Sequence, residues 1–182
     1  MKNVQSFNSL IENASITNWD KHALTDYEGD TLQYHDVARK IENKYTMFEH
    51  SELKHGDKIA LYGHNSAMWT YAYLATVTYG VVIVPIRHDS THEQVYNIVN
   101  HSDSKLLLVG DVASTTLDLA MMPNSAGECF LTDTSWTLSR SKDLTEIREH
   151  QNDLYGHAQS KDIYTKTEYS YLATFHDVSM LL

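Results

Sequence analysis

The sequence predicts an α/β fold, a doubly wound and mostly parallel sheet with flanking helices. Three observations carry that prediction. Five segments alternate in kind, as strand 58–62, helix 66–79, strand 81–86, helix 91–100 and strand 105–109, which makes two linked βαβ units. The strands Val81-Val82-Ile83-Val84-Pro85-Ile86 and Leu106-Leu107-Leu108-Val109 are continuously apolar, as expected when both faces of a parallel sheet are covered. Right-handed crossovers are the overwhelming rule for such connections, so helices should wind onto the sheet. The order of the strands is not legible in this pattern.

Taken in order, Phe7, Leu10, Ile11 and Ala14 recur at helical spacing and predict a short docking helix. Residues 23–27 and 31–34 flank Glu28-Gly29-Asp30 and predict a small hairpin. From 36 to 48, Val37, Ile41, Tyr45 and Phe48 return to helical spacing, and Gly56-Asp57 breaks the chain before strand 58–62. Ser90 with Glu93 makes a capping box, which starts the next helix at Thr91 and turns Val95, Ile98 and Val99 to the sheet. Beyond Asp111 the pattern gives a helix over 112–122, a strand over 128–131 and a polar stretch over 132–161. The apolar run 178–182 has neither cap nor breaker and reads as an element cut short. There is no solenoid repeat and no sustained heptad.

A length of 182 residues suits one domain of ordinary size. With 42% apolar residues, 7 Gly and 2 Pro, the chain is globular rather than disordered or low in complexity. The 14 basic and 24 acidic residues give 14 − 24 = −10, which disfavours nucleic acid or an anionic membrane as a partner held by non-specific charge. Protonating all 11 His would bring the formal charge to −10 + 11 = +1, so the acidic field belongs to neutral pH. The lone Cys129 cannot form an internal disulfide, no apolar stretch at the N-terminus resembles a signal peptide, and a cytoplasmic location is expected. The Asn13-Ala14-Ser15 sequon then has no secretory context. The most apolar window, 72–86, falls short of the roughly 20 residues of a membrane span, so no transmembrane segment is expected.

Phosphate cradles need glycines close together, so that backbone N–H groups can approach the anion. Here they stand at 29, 56, 63, 80, 110, 127 and 156, with no GxGxxG, no GxxxxGK[ST] and no GxSxG elbow. His88 and His92, with Asp89 and Glu93, imitate a metal pair at i and i+4, but the capping box puts His88 outside the helix and favours solvated loop residues. Cys129 reads as a small buried residue. Trp69, Tyr71, Tyr73 and Tyr79 read as core packing, with a ligand-stacking stripe as the other account. Ligands of open α/β sheets bind beyond the C-terminal strand ends. That rule singles out Gly63-His64-Asn65-Ser66 and Arg87-His88-Asp89, and within them His64, Asn65, Arg87 and His88 as cleft-lining candidates by position. The competing account makes them polar groups that serve the backbone of loops and helix starts.

Five stretches in order resemble the N-terminal portion of the adenylate-forming acyl-CoA synthetases, the AMP-dependent synthetase and ligase superfamily. Leu32-Gln33-Tyr34-His35-Asp36-Val37 resembles the box L-[TS]-Y-x-E-L, departing at Gln33 and Asp36. Lys54-His55-Gly56-Asp57-Lys58-Ile59-Ala60 resembles K-x-G-D-x-V-A, and Asn65-Ser66 with Trp69 resembles N-S-x-E-W, with Met68 for the Glu. Leu74-Ala75 through Tyr79-Gly80-Val81-Val82-Ile83-Val84-Pro85 resembles L-A-x-x-x-A-G-A-V-x-V-P, with Tyr79 for an Ala. Ser102-Asp103-Ser104-Lys105 leading into 106–109 resembles D-S-x-A-K-x-L-[IV]-V. The resemblance is close over about 5–111 and looser over 112–182. Ile86-Arg87-His88-Asp89 replaces the Asn-Pro common after that strand, which leans toward the long-chain fatty-acid CoA ligases.

The resemblance implies an enzyme that joins a carboxylate to the α-phosphate of ATP with Mg2+ present, then passes the acyl group to CoA. It also implies that the phosphate loop, the Mg2+ carboxylate, the ribose Asp and the mobile-domain Lys lie beyond these residues. No catalytic, cofactor or metal residue is therefore assigned within 1–182, and the segment alone is expected to be inactive and to bind none of the three. An apolar sheet edge should be exposed and invite self-association. The alternative from another class is a stand-alone, flavodoxin-like interaction or regulatory module.

Overall fold

The structure is a computed structural model that describes residues 6–110, 117–123 and 128–131. Helix α1 (Phe7–Thr17) leads to the antiparallel hairpin β1 (His22–Thr25) and β2 (Thr31–Gln33), then to helix α2 (Tyr34–His50). Strand β3 (Lys58–Tyr62), helix α3 (Ala67–Tyr79), strand β4 (Val82–Ile86), helix α4 (His92–Ser102) and strand β5 (Leu106–Gly110) follow. A single 3-10 turn (Leu119–Met121) and strand β6 (Glu128–Leu131) complete the described chain. The sheet runs β4-β3-β5-β6 with every pairing parallel.

Register decides which side chains face which layer. Ile59 pairs with Leu106 and Leu61 with Leu108, and all four enter one cluster with Ile41, Phe48, Tyr71 and Ala75 of α2 and α3. Ala60 pairs with Leu107 and Tyr62 with Val109, and these join Val95, Val99 and Met122 in a second cluster. The sheet thus carries helices on both faces, which explains why β5 is apolar at every position from 106 to 109.

Three expectations need correction. The continuous apolar run of β4 does not mean cover on both faces, because β4 pairs only with β3 among the described residues, and Val82 is 48% exposed. A strand with one neighbour lies at the margin of helices packed over β3 and β5. The box at α4 sits one residue later than Ser90 and Glu93. Thr91 is the N-cap, its hydroxyl accepting from the Gln94 N–H (3.3 Å), while the Gln94 side chain accepts from the Thr91 N–H (2.9 Å). Both pairs have capping chemistry at the same spacing, and the chain's exit from β4 selects between them. In α1, Phe7 and Leu10 are exposed, and the helix instead docks through Ile11, the buried Ser15 and Asn8, whose amide donates to the Thr78 carbonyl (2.9 Å). The docked face keeps Ile11 of the apolar stripe and adds the Asn8 amide-to-carbonyl bond.

Of the helix expected over 112–122, only 117–122 is described, and there the 3-10 turn stands in its place. The Cys129 side chain, the polar stretch 132–161 and the run 178–182 lie outside the described residues.

The N-terminal edge of the sheet is tied together by one turn. Gly56, at φ 83, donates its N–H to the Gly80 carbonyl (3.1 Å), which itself follows the left-handed end of α3. Val82 donates to the Asp57 carbonyl (2.7 Å) and Lys105 to the Lys58 carbonyl (2.8 Å), so three strand starts meet here. The Asp57 carboxylate accepts from the Lys54 N–H (2.8 Å) and the Lys105 ammonium (2.9 Å). Burial pushes its pKa up, but the Lys105 hydrogen bond, the Lys54 N–H and the two lysine charges outweigh that and hold it below the ordinary carboxylate value. A depressed carboxyl stabilises the fold above its unfolded pKa, and that contribution is lost as pH falls through the folded value. Asp57→Asn should cost about 1–2 kcal/mol at pH 7, since Lys105 is half exposed and screened by water. The difference from the parent should close as urea midpoints are followed down through pH 3.8.

Candidate functional site

The order β4-β3-β5-β6 has the flavodoxin-like form, in which the second strand lies to one side of the first and the third to the other. In such sheets the ligand crevice opens beyond the carboxyl ends of the first and third strands, here β3 and β5. Gly63 and Gly110 stand at those two ends. A Cβ on Gly63 would meet the Gly110 backbone at 3.2 and 3.3 Å, so a side chain there would press on the neighbouring main chain and glycine suits the close approach.

The residues selected by position lie on the loops that leave β3 and β4. Tyr62, the last residue of β3, is buried, and its hydroxyl donates to the Ser90 carbonyl (3.1 Å), tying the second loop to the first strand. Burial, with the Asp89 charge behind it, pushes the Tyr62 hydroxyl pKa up and keeps it a donor. His64 and His88 are both exposed, yet their rings come together with centroids 4.3 Å apart and planes at 35°. Asn65 is exposed beside them. Arg87 turns to Asp89 in a two-point ion pair (2.9 and 2.6 Å), and that hydrogen bonding holds the Asp89 carboxyl below its ordinary value. Of the four residues selected by position, the fold pairs His64 with His88 and leaves Arg87 engaged elsewhere.

Asp26, from the hairpin, accepts a hydrogen bond from the Ala67 N–H (2.7 Å), and Ser66 accepts from the Trp69 N–H (3.0 Å). The start of α3 is therefore satisfied by this chain's own side chains. Asp26 lies 41 residues from its partner, and no local pattern announces it. His92, offered by spacing as a partner for His88, is the first residue of α4 and sits against Tyr96 (6.4 Å between centroids). Tyr71 is buried in the core, and Trp69, Tyr73 and Tyr79 pack against it. The aromatic helix is core packing.

These residues do not fit the phosphates or the metal of a nucleotide. Gly63 and Gly110 pack on each other instead of opening a cradle. Among the described residues no group of three or more His, Cys, Asp or Glu could hold a metal ion, and no helix is long and apolar enough to cross a membrane.

The boxes read in the sequence lie elsewhere, at turns and caps. Gln33 donates its N–H to the Asp36 carboxylate (3.0 Å) at the start of α2, Ser66 caps α3, Gly80 ends it, and Asp103, at φ 54, ends α4. Among known proteins, mouse long-chain fatty acid transport protein 6 is 24% identical over 91 residues, which cover 50% of this chain and 15% of that protein. A candidate long-chain-fatty-acid CoA ligase from Rhodopseudomonas palustris shares the fold with a TM-score of 0.63 at 12% identity, covering 81% of this chain and 37% of the other. The anthranilate CoA ligase AuaEII, solved with anthranoyl-AMP, gives 0.62 at 14% identity, covering 76% and 27%. The chain thus spans well under half the length of each. The model of the family described as AMP-binding enzyme matches residues 11–174, and with the fold in agreement the chain belongs to that adenylate-forming family.

Proposed function

We propose that these residues form the N-terminal α/β segment of an AMP-forming acid–thiol ligase, with 5–111 as its core, and that the acid is a fatty acid. The observation that carries this reading is the family match over 11–174, which spans all five boxes. The complete enzyme would join a carboxylate to AMP from ATP, with Mg2+ present, and transfer the acyl group to CoA. The anthranoyl-AMP bound by AuaEII supports the first step. The names of the mouse and Rhodopseudomonas palustris proteins, with Arg87-His88 in place of Asn-Pro, support a fatty acyl substrate.

In this reading the segment supplies scaffold and the catalytic groups come from outside it. Its 182 residues alone are inactive and hold no nucleotide, because neither a clustered-glycine loop nor a metal-holding group is found in the part described. His64, Asn65, Arg87 and His88 line the rim of a cleft, the site of action is the cytoplasm, and the outer edge of β4, with Val82 exposed, makes the isolated segment self-associate. Reading the coding sequence downstream of Leu182 tests the proposal. A Gly-rich Ser/Thr loop within the next few dozen codons supports it. A stop codon directly after Leu182 overturns it and leaves the reading that the flavodoxin-like strand order favours, a stand-alone interaction or regulatory module.

A further inference from the structure

An asparagine loses ammonia when the main-chain nitrogen of the next residue reaches its side-chain carbon, so the reaction needs an unheld amide and an unheld N–H side by side. Asn8, Asn13, Asn43, Asn97 and Asn100 lie within α1, α2 and α4, where the helix ladder or a cap holds the following N–H. Asn18 donates its side-chain amide to the Ala14 carbonyl (2.9 Å) and precedes the bulky Trp19. Asn65 differs on every count. It is exposed, it stands in the loop between β3 and α3, and its amide donates to nothing among the described residues. Ser66 after it is small, and although its hydroxyl and carbonyl accept from Trp69 and Thr70, its own N–H is unbonded among the described residues.

The same ring closure at an aspartate is blocked where a serine also follows. Asp89 is held by Arg87 while the Ser90 N–H donates to the Arg87 carbonyl (3.0 Å), and the buried Ser104 after Asp103 donates to the Val99 carbonyl (3.1 Å). We propose that Asn65 is a site of spontaneous conversion to aspartate and isoaspartate. The deprotonated Ser66 nitrogen bonds to the Asn65 Cγ, the Cγ–Nδ2 bond breaks, and the departing nitrogen takes up a proton and leaves as ammonia. Water then opens the cyclic imide at either of its carbonyl carbons. One product is aspartate, a negative charge before the N-terminus of α3, where the helix dipole favours it. The other is isoaspartate, which adds a carbon to the main chain directly before the Ser66 cap. Both put a carboxylate next to His64, whose ring meets that of His88, so the charge of this loop pair changes with the age of the molecule. This site is independent of the ligase reading.

The test ages the full 182-residue chain in mildly alkaline buffer, folded and in urea, before digestion with trypsin. Residues 59–87 form one tryptic peptide with one Asn and no Asp, so any amide loss or isoaspartate found in it belongs to Asn65. Followed by mass spectrometry and isoaspartyl methylation, Asn65 should convert in the folded chain within about threefold of its rate in urea, whereas folding should slow Asn43 and Asn97 at least about tenfold, because each must first open its helix. Folding that slows Asn65 as much as either of these overturns the proposal. The comparison uses the unaltered chain, so no variant has to fold.

Discussion

Replacing Glu42 with glutamine is expected to remove most of the loss of stability that the parent chain shows between pH 4.5 and about 8. Glu42 lies on α2 and is 2% exposed. Burial, reinforced by the charge of Glu49, pushes its carboxyl from the ordinary 4.5 to about 8. The folded chain therefore holds a proton that the unfolded chain has released over that interval. A carboxyl raised in this way stabilises the fold fully below its unfolded pKa, and the contribution is lost as pH rises through the folded value. The slope should approach 1.4 kcal/mol per pH unit, within roughly a factor of two, in the middle of the window. Glutamine has nearly the same shape and no charge to bury. Urea unfolding across pH 5 to 9 should give similar stabilities for parent and Glu42→Gln at pH 5, and a variant more stable by on the order of 4 kcal/mol at pH 9. Parallel curves across the whole range would show that Glu42 is ionised in the fold.

Leu107→Ala and Leu108→Ala should each lower stability by about 2–5 kcal/mol, although adjacent strand residues point to opposite faces. Both side chains are fully buried, Leu107 against α4 and Leu108 against α2 and α3. A sheet open to water on one face would make one substitution severe and its neighbour nearly silent. Val82→Ala, on the half-exposed edge, should cost less than about 1 kcal/mol. Urea midpoints with unchanged m-values measure all three.

The contrast between β4 and β5 also marks what the sequence can disclose. Both read as continuous apolar strands, and both are strands, within a residue of the ranges the pattern predicts. Their position in the sheet depends on which strands they pair with, and pairing leaves no trace in a run of Val, Ile and Leu. Thr91 and Gln94 show the same limit at smaller scale, because two capping boxes one residue apart are chemically equivalent until the chain's path is known. The family boxes were legible because turns and caps demand particular residues at fixed offsets, as at Asp57, Ser66 and Gly80. The grouping of the positional candidates was legible only in part. Strand ends select His64, Asn65, Arg87 and His88, but the meeting of His64 with His88, and of Gly63 with Gly110, requires chain segments 24 and 47 residues apart to be brought together by the sheet.

The boxes that identify the family build the sheet's edges and helix ends, and the proposal that catalysis resides outside them makes family membership and catalytic capacity separable in this chain. Fatty-acid-dependent exchange of labelled pyrophosphate into ATP measures that separation directly. On the proposal made here, the purified 182 residues should give no exchange above background, while a longer product, if the coding sequence continues past Leu182, should give exchange that depends on added fatty acid. Exchange by the 182 residues alone, or none by the longer product with any carboxylate, would contradict the account.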